Sequence, residues 1–529
     1  MCGIYATLAT TPVAAIEAFM AAHPQALHPR GPDAQHRVFL DRAVVYHTRL
    51  AITGASSVKP QPFRANGWTV AVNGEIYNHV ALGGEVGDSD CAVLTRLLDA
   101  HPAQQVCRML DGVFSFVAYD AATQTLTIAR DPIGVTPLFY GTRNGVLHVS
   151  SLLAALPETV EAHVFPPGHV AHVAAGAPVV PEPYAEPYRA HWEPLETWEP
   201  AHHVAHMNAM CNRITWGLRR AVQKRLMGDT PWGVLLSGGL DSTIVAALAS
   251  KLCASARKDY PRVHSFSVGL HDSPDLAVAR RVALELDTVH HELVYTVEEG
   301  IAALRHVIGA IETYDVTTVR ASTPMYLLAR FVRQNGVKMV LSGEGADELF
   351  AGYKYNEWCP SPEEMMCECA RKMNLLHAYD CLRANKSMGA FGVECRVPFL
   401  DQDVVDLAMN QLHPAYKMTT PWKEHEPELL EKWVLRRAFA NLLPGEVADR
   451  AKAQFSDAVG DRWIAGLRAH AREVVGDVPN AEETLYRQIF CELFPDRDAL
   501  VVTGPSMACS TPAAVAWGAW EDPDPSGNI

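Results

Sequence analysis

The stretch Gly233-Val234-Leu235-Leu236-Ser237-Gly238-Gly239-Leu240-Asp241-Ser242 limits what this chain can fold into more than any other. Apolar residues run into a loop of small ones, and an apolar helical pattern follows over 243–248. This order reads as strand, loop, helix. Backbone N–H groups at a helix mouth point outward without partners, and the helix dipole favours an anion there. Gly238 and Gly239 let the backbone approach such an anion, and Ser237 and Ser242 add hydroxyl donors. Asp241 would repel a bare phosphate, so its presence implies a magnesium ion between carboxylate and phosphates. The alternative is a plain glycine-containing turn, which is common in α/β proteins.

The surroundings extend this pattern. From residue 206, helical stretches at 208–226, 243–256, 276–285, 297–311 and 322–334 alternate with strand candidates at 234–236, 263–268, 290–294 and 338–341. Such alternation implies a parallel sheet. Residues 401–520 read mostly helical. The opening part differs, with short β-rich runs at 38–40, 43–47, 69–72, 113–119, 125–129, 138–140 and 146–150. Turn signals such as Asn73-Gly74 and Asn144-Gly145 bound several of them, and helical periodicity is confined to 13–22 and 90–99. That mixture predicts an α+β layered domain. Between the two parts, six prolines from Pro178 to Pro200 disfavour regular structure. The expected organisation is a first domain over 2–175, a connection over 176–205, a second domain over 206–520 and a tail over 521–529.

With 45 Lys+Arg against 60 Asp+Glu, the formal net charge is −15. Phosphate contacts dominate nucleic-acid affinity, so a general nucleic-acid binder is excluded as an expectation. The 12 cysteines are scattered and follow no secretory signal, which reads as reduced thiols in the cytoplasm. Cys359, Cys367, Cys369 and Cys381 lack a paired C-x-x-C spacing and read as small hydrophobes. No apolar run approaches a membrane span.

The chain opens Met1-Cys2-Gly3-Ile4. Initiator methionine is normally removed before a small residue, which would leave Cys2 with a thiol and a free α-amine. An amine titrating near 8 can serve as the base that makes the attacking thiolate. Alone, a cysteine at position 2 is unremarkable. Here Arg30-Gly31-Pro32-Asp33, Arg49-Leu50-Ala51-Ile52, Asn73-Gly74-Glu75-Ile76-Tyr77-Asn78 and Ser89-Asp90 follow in order. The set resembles the class II glutamine amidotransferase domain, an N-terminal-nucleophile fold with an αββα sandwich. The resemblance implies that Cys2 attacks the glutamine side-chain amide and releases ammonia. Asn73 and the Gly74 N–H resemble the oxyanion hole, and Arg49, flanked by Leu50 and Ile52, resembles the partner of the glutamine carboxylate. Glu75 and Asp90 resemble residues near its α-amine.

The loop Ser237–Ser242 has the pattern of the ATP pyrophosphatase family, and no Walker A sequence occurs. A second junction, Leu341-Ser342-Gly343-Glu344-Gly345-Ala346-Asp347-Glu348, repeats the strand-to-helix theme with three carboxylates. Carboxylates of this kind suit a metal and a proton, although acids at a helix start also satisfy the dipole. Residues 313–324, 394–401 and 450–457 extend the similarity to the glutamine-hydrolysing asparagine synthetase family over about residues 1–520. The family implies an α/β parallel-sheet second domain with a helical C-terminal part. It implies ATP and Mg2+, with Asp241 and Asp347 as metal ligands, Glu344 taking a proton from ammonia and Lys452 stabilising charge at the phosphates. Leu235, Val268 and Gly343 fall at the adenine and ribose, Ser237, Gly238, Gly239, Leu240, Ser242 and Ser342 at the phosphates. Thr317, Thr318 and Arg320 fall at the acceptor aspartate. The implied partners are aspartate, glutamine and ATP, and a homodimer is the assembly the resemblance allows. The implied chemistry is asparagine synthesis through a β-aspartyl-AMP. Amidation of another carboxylate by a related enzyme, or a non-catalytic homologue, is the rival reading. Val113 and Cys395 stand where methionine and alanine are common in the family, and both are small or apolar, as the ammonia passage implied by the resemblance requires.

Overall fold

A computed structural model describes residues 1–54, 60–192, 204–256, 262–420, 428–450, 460, 462–502 and 514–517. The first domain holds two antiparallel six-stranded sheets. One runs in the order Glu161–Val164, Phe139–Arg143, Val146–Ser150, Gly3–Leu8, Ala43–Arg49, Ala34–Phe39. The other runs Glu182–Pro183, His169–Ala174, Thr125–Arg130, Gly112–Asp120, Trp68–Ile76, Phe63–Ala65.

Side-chain alternation along each strand builds the layers. Ile4, Ala6 and Leu8 of one sheet pack with Ala71, Val117 and Ile128 of the other, forming the core between them. Val70, Val72 and Phe116, one residue out of step, face outward and pack with Leu94, Leu97 and Val106 of covering helices. On the far side, Tyr5 and Val44 pack with Ala15 and Phe19 of helix Pro12–Met20. The result is helix, sheet, sheet, helix. That helix starts where Thr11 accepts from the Ala14 N–H, with Pro12 in its first turn. The strand Gly3–Leu8 has no polar alternation because both of its faces are covered, which is why a strand pattern is hard to see there.

The second domain is built on a five-stranded sheet, all parallel, in the order Val289–Val294, His264–Gly269, Trp232–Leu235, Met339–Leu341, Glu394–Arg396. The chain adds strands to one side of Trp232–Leu235 and then crosses to the other. A crevice for a ligand forms where the order reverses, beyond the carboxyl ends of these strands.

Helix Ala103–Met109 falls outside the helical stretches expected of the first domain, and one helix of the second domain starts earlier than expected. It spans Val316–Gln334 and carries Pro324 inside. Asp315 caps its start by accepting from the Thr318 N–H at 2.9 Å. Proline has no N–H to give the carbonyl four residues back. That carbonyl belongs to Arg320, and the Trp463 indole N–H donates to it at 3.0 Å. The proline is thus accommodated by a tertiary hydrogen bond.

Candidate active sites

The first site forms where the start of strand Gly3–Leu8 and the carboxyl ends of Ala43–Arg49 and Trp68–Ile76 meet the second domain. Cys2 immediately precedes the strand Gly3–Leu8, and its thiol accepts from the Leu50 N–H at 3.5 Å. Arg30 Nε donates to the Cys2 carbonyl at 3.0 Å. Burial pushes the Cys2 thiol pKa up, against the pull of the nearby amino terminus. Met1 is buried, and its ammonium lies 2.9 Å from Glu394. With Met1 attached, the Cys2 nitrogen is an amide and no base.

Asn73, Gly74 and Glu75 sit side by side on Trp68–Ile76. Asn73 is wholly buried, yet neither end of its side-chain amide has a hydrogen-bond partner among the described residues. Gly74 has a φ of 151°, and a Cβ there would lie 2.0 Å from the Val113 carbonyl oxygen, so only glycine fits. Glu75 accepts from the Thr53 hydroxyl at 3.1 Å and pairs with Arg396 at 3.0 Å. Asp90 accepts from the Ile76 N–H at 2.6 Å, which fixes the residue after Glu75. Arg49 is half-buried and donates to the Gly54 carbonyl at 2.6 Å. Leu50 and Ile52 are buried, and the Ile52 carbonyl accepts from the Asp229 N–H at 2.9 Å.

Arg396 lies between two carboxylates, with Glu394 on its Nε at 2.7 Å. Burial pushes Glu394 up, but the amino terminus and Arg396 more than offset this and hold it at about 2. Burial pushes Glu75 up despite Arg396. The two partners of one guanidinium therefore hold their protons with different strength.

The second site is a cleft at the reversal point of the parallel sheet. Its walls include Leu235, Ser237, Gly239, Leu240, Asp241, Ser242, Val268, Thr317, Thr318, Ser342, Gly343, Glu344 and Asp347. The loop after Trp232–Leu235 is knitted by hydroxyls: Ser242 Oγ accepts from the Ser237 N–H at 3.2 Å and donates to the Gly239 carbonyl at 3.2 Å. A Cβ on Gly343 would meet Asp241 at 2.9 Å, so glycine lets the two loops touch. Gly238 is not part of that wall, but its carbonyl accepts at 3.3 Å from Arg450, which is.

Lys432 extends between the loops, with Nζ 2.5 Å from Asp241 and 2.7 Å from Asp347. The other Asp241 oxygen is buried and has no partner among the described residues. Glu344 is held by Arg383 at 2.6 Å, and Arg383 also pairs with Asp380 at 2.5 Å. Glu348 accepts from the Tyr353 hydroxyl. Burial, with Asp380 and Asp347 nearby, pushes its pKa to about 8.

Arg320 is not part of the cleft wall. It is buried in a two-pronged pair with Glu482, whose Oε1 accepts from Nε at 3.0 Å. Lys452 lies outside the described residues. Lys432, Arg383 and Asp380 are site residues that the sequence reading does not include.

The Asparagine synthase family model matches residues 214–365 and 356–519, and the Glutamine amidotransferase domain model matches 1–186. An asparagine synthetase [glutamine-hydrolyzing] of Brassica oleracea is 43% identical, covering 95% of this chain and 88% of its own. One of Oryza sativa is 41% identical over 100% of this chain and 92% of its own. The chain belongs to the glutamine-hydrolysing asparagine synthetases. A solved glutamine phosphoribosylpyrophosphate amidotransferase from B. subtilis aligns over 55% of this chain and 81% of its own, with 15% identity and a TM-score of 0.31.

In this synthetase the two sites meet at one short strand. Along Glu394–Arg396, the outer residues face the first site, on the amino terminus and Glu75. Cys395 points the other way, where Ser342 and Glu344 influence its thiol. The Arg396 carbonyl also accepts from the Ser342 N–H at 2.9 Å. Among the described residues, no helix is long and apolar enough to cross a membrane.

Proposed function

We propose that this chain makes L-asparagine from L-aspartate and L-glutamine at the expense of ATP, through a β-aspartyl-AMP. The observation that carries this reading is the shared strand Glu394–Arg396, which puts a thiol site and a carboxylate-lined cleft back to back. Removal of Met1 frees the Cys2 amine to take the thiol proton, and the thiolate attacks the glutamine amide. The unpaired Asn73 amide and the Gly74 N–H receive the oxyanion, the task for which fixed, dry donors are most effective. Arg49 takes the glutamine carboxylate through its two-pronged fork, and Glu75 and Asp90 serve its α-amine. Collapse of the intermediate expels ammonia, which takes up the proton held by the Cys2 amine, and water then cleaves the remaining thioester, releasing glutamate and restoring the thiol.

In the cleft, the loop Ser237–Ser242 and Ser342 hold the pyrophosphate, while Leu235, Val268 and Gly343 hold the nucleoside. Thr317 and Thr318 hold aspartate, whose β-carboxylate displaces pyrophosphate from the α-phosphorus. Ammonia then attacks the acyl adenylate, releasing AMP, and Glu344 takes the proton. Asp241 and Asp347 are the residues that would hold Mg2+. The buried, unpartnered Asp241 oxygen fits that task, and Mg2+ is commonly bound by one or two carboxylates plus substrate phosphates. When bound, Mg2+ neutralises phosphate charge. Lys432 then faces the phosphates, and Lys452 is the further lysine assigned to their charge. Charging ammonia in an apolar passage is costly, so a passage past Val113 and Cys395 would keep it neutral and nucleophilic.

The test is mass spectrometry of products from amide-15N glutamine, ATP and a panel of carboxylates. Labelled asparagine together with AMP and pyrophosphate is expected. Formation of a different labelled amide, with none from aspartate, would overturn the acceptor assignment.

A further inference from the structure

We infer that Asn385 is a positioning residue for the glutamine-hydrolysing nucleophile, supplied to it by the synthetase domain. It sits on helix Asp380–Gly389, which lies between the two sites. Its side-chain oxygen accepts from Arg30 Nη2 at 2.8 Å, and its nitrogen donates to the Val135 carbonyl at 3.0 Å. Arg30 in turn holds the Cys2 carbonyl through Nε. The nucleophile's backbone is therefore fixed by a guanidinium whose own orientation is fixed from the other domain. Both Asn385 and Arg30 are buried, so water does not replace either bond.

The helix is placed for this role. Residues two apart on a helix project about 200° apart. Arg383 accordingly reaches the opposite way, to Glu344 in the cleft. Lys386 anchors the next turn on Glu312 at 2.6 Å, and Glu312 also accepts from the Ala154 N–H of the first domain at 2.8 Å. One rigid element thus contacts both reaction centres and is locked to both domains.

The inference rests on Cys2 being the glutaminase nucleophile. Its test compares Asn385→Leu, which keeps the branched outline and removes both hydrogen bonds, with Asn385→Asp, which keeps an acceptor for Arg30. The second Asp oxygen, in place of the nitrogen that donates to Val135, loses that bond, and Arg30 Nη1, without a partner among the described residues, is the donor it gains if the carboxylate turns onto the guanidinium. For Asn385→Leu, kcat for glutamate release falls about tenfold while KM for glutamine stays within about twofold, the scale of one hydrogen bond to a charged group. Asn385→Asp keeps kcat within about threefold. Synthesis from added ammonia stays within about twofold in both. Wild-type kcat in the Leu variant, or an equal loss in the Asp variant, overturns the assignment. Wild-type enzyme that releases glutamate but makes no asparagine would refute the proposed reaction instead, and leave the Asn385 comparison readable.

Discussion

Asn73 is buried with neither end of its amide satisfied among the described residues, and an unsatisfied buried group costs a fold about 1–3 kcal/mol. A ligand that meets the group offsets that cost. Asn73→Ala is therefore expected to lower kcat for glutamine hydrolysis by about 10²–10³-fold, the loss of one oxyanion donor, while leaving ammonia-dependent synthesis intact. Steady-state glutamate release checks the first part and pyrophosphate release with ammonia the second. Fold stability should hold or rise, because a desolvated amide is removed. Glu348 makes a prediction with a sign. Its folded pKa of about 8 lies above the usual glutamate value, so the native state binds the extra proton. The stabilisation this gives is fully present below the unfolded value near 4.3 and is lost as pH rises through about 8. Glu348→Gln should flatten the decline in Tm between pH 5 and pH 8.5, and it should be more stable than the wild type at the upper end. A wild-type Tm that rises over this range would contradict the assignment.

At the scale of elements, the proline in helix Val316–Gln334 gives the clearest test. Trp463 serves a carbonyl that an ordinary residue at 324 would serve from within the helix. Trp463→Phe removes that hydrogen bond from a buried carbonyl and should cost about 1–3 kcal/mol, plus packing against Tyr295. Repeating the change in a Pro324→Ala background should cost less, because alanine supplies its own N–H. Denaturant unfolding of the four chains measures the difference, and equal costs in the two backgrounds would remove the explanation. This helix also shows where sequence reading stops. Pro324 invites a boundary, so periodicity alone begins the helix at 322, and the compensating tryptophan lies 139 residues away. The regular βα alternation from 206 onward was legible because each unit carries its own period. Glu394–Arg396 was not legible as a strand, since three residues have no period and Pro398 follows after a single residue.

Across the whole molecule, the short-range motifs were readable and their long-range partners were not. Asp241 and Asp347 stand in glycine-rich junctions that announce themselves, whereas Lys432 comes from a left-handed residue with no surrounding pattern. Arg320 lies within a family-like segment, yet its partner Glu482 is 162 residues on, and no spacing rule reaches that far. The two chemistries likewise lie on separate parts of the chain, which predicts opposite lesions. Cys2→Ala should abolish asparagine formation from glutamine and keep formation from ammonia. Asp241→Asn should do the reverse: glutamate release persists while pyrophosphate release falls, whichever nitrogen source is used. The second effect has a structural reason, because Lys432 keeps its Asp347 partner and the loop keeps its Ser237–Ser242 hydrogen bonds. Only the charge facing the phosphates is lost. Raising Mg2+ should recover part of the Asp241→Asn rate if that carboxylate holds the metal, since weaker binding is offset by mass action. A rate that stays flat across the titration, with nucleotide saturating, would instead assign Asp241 to orienting Lys432.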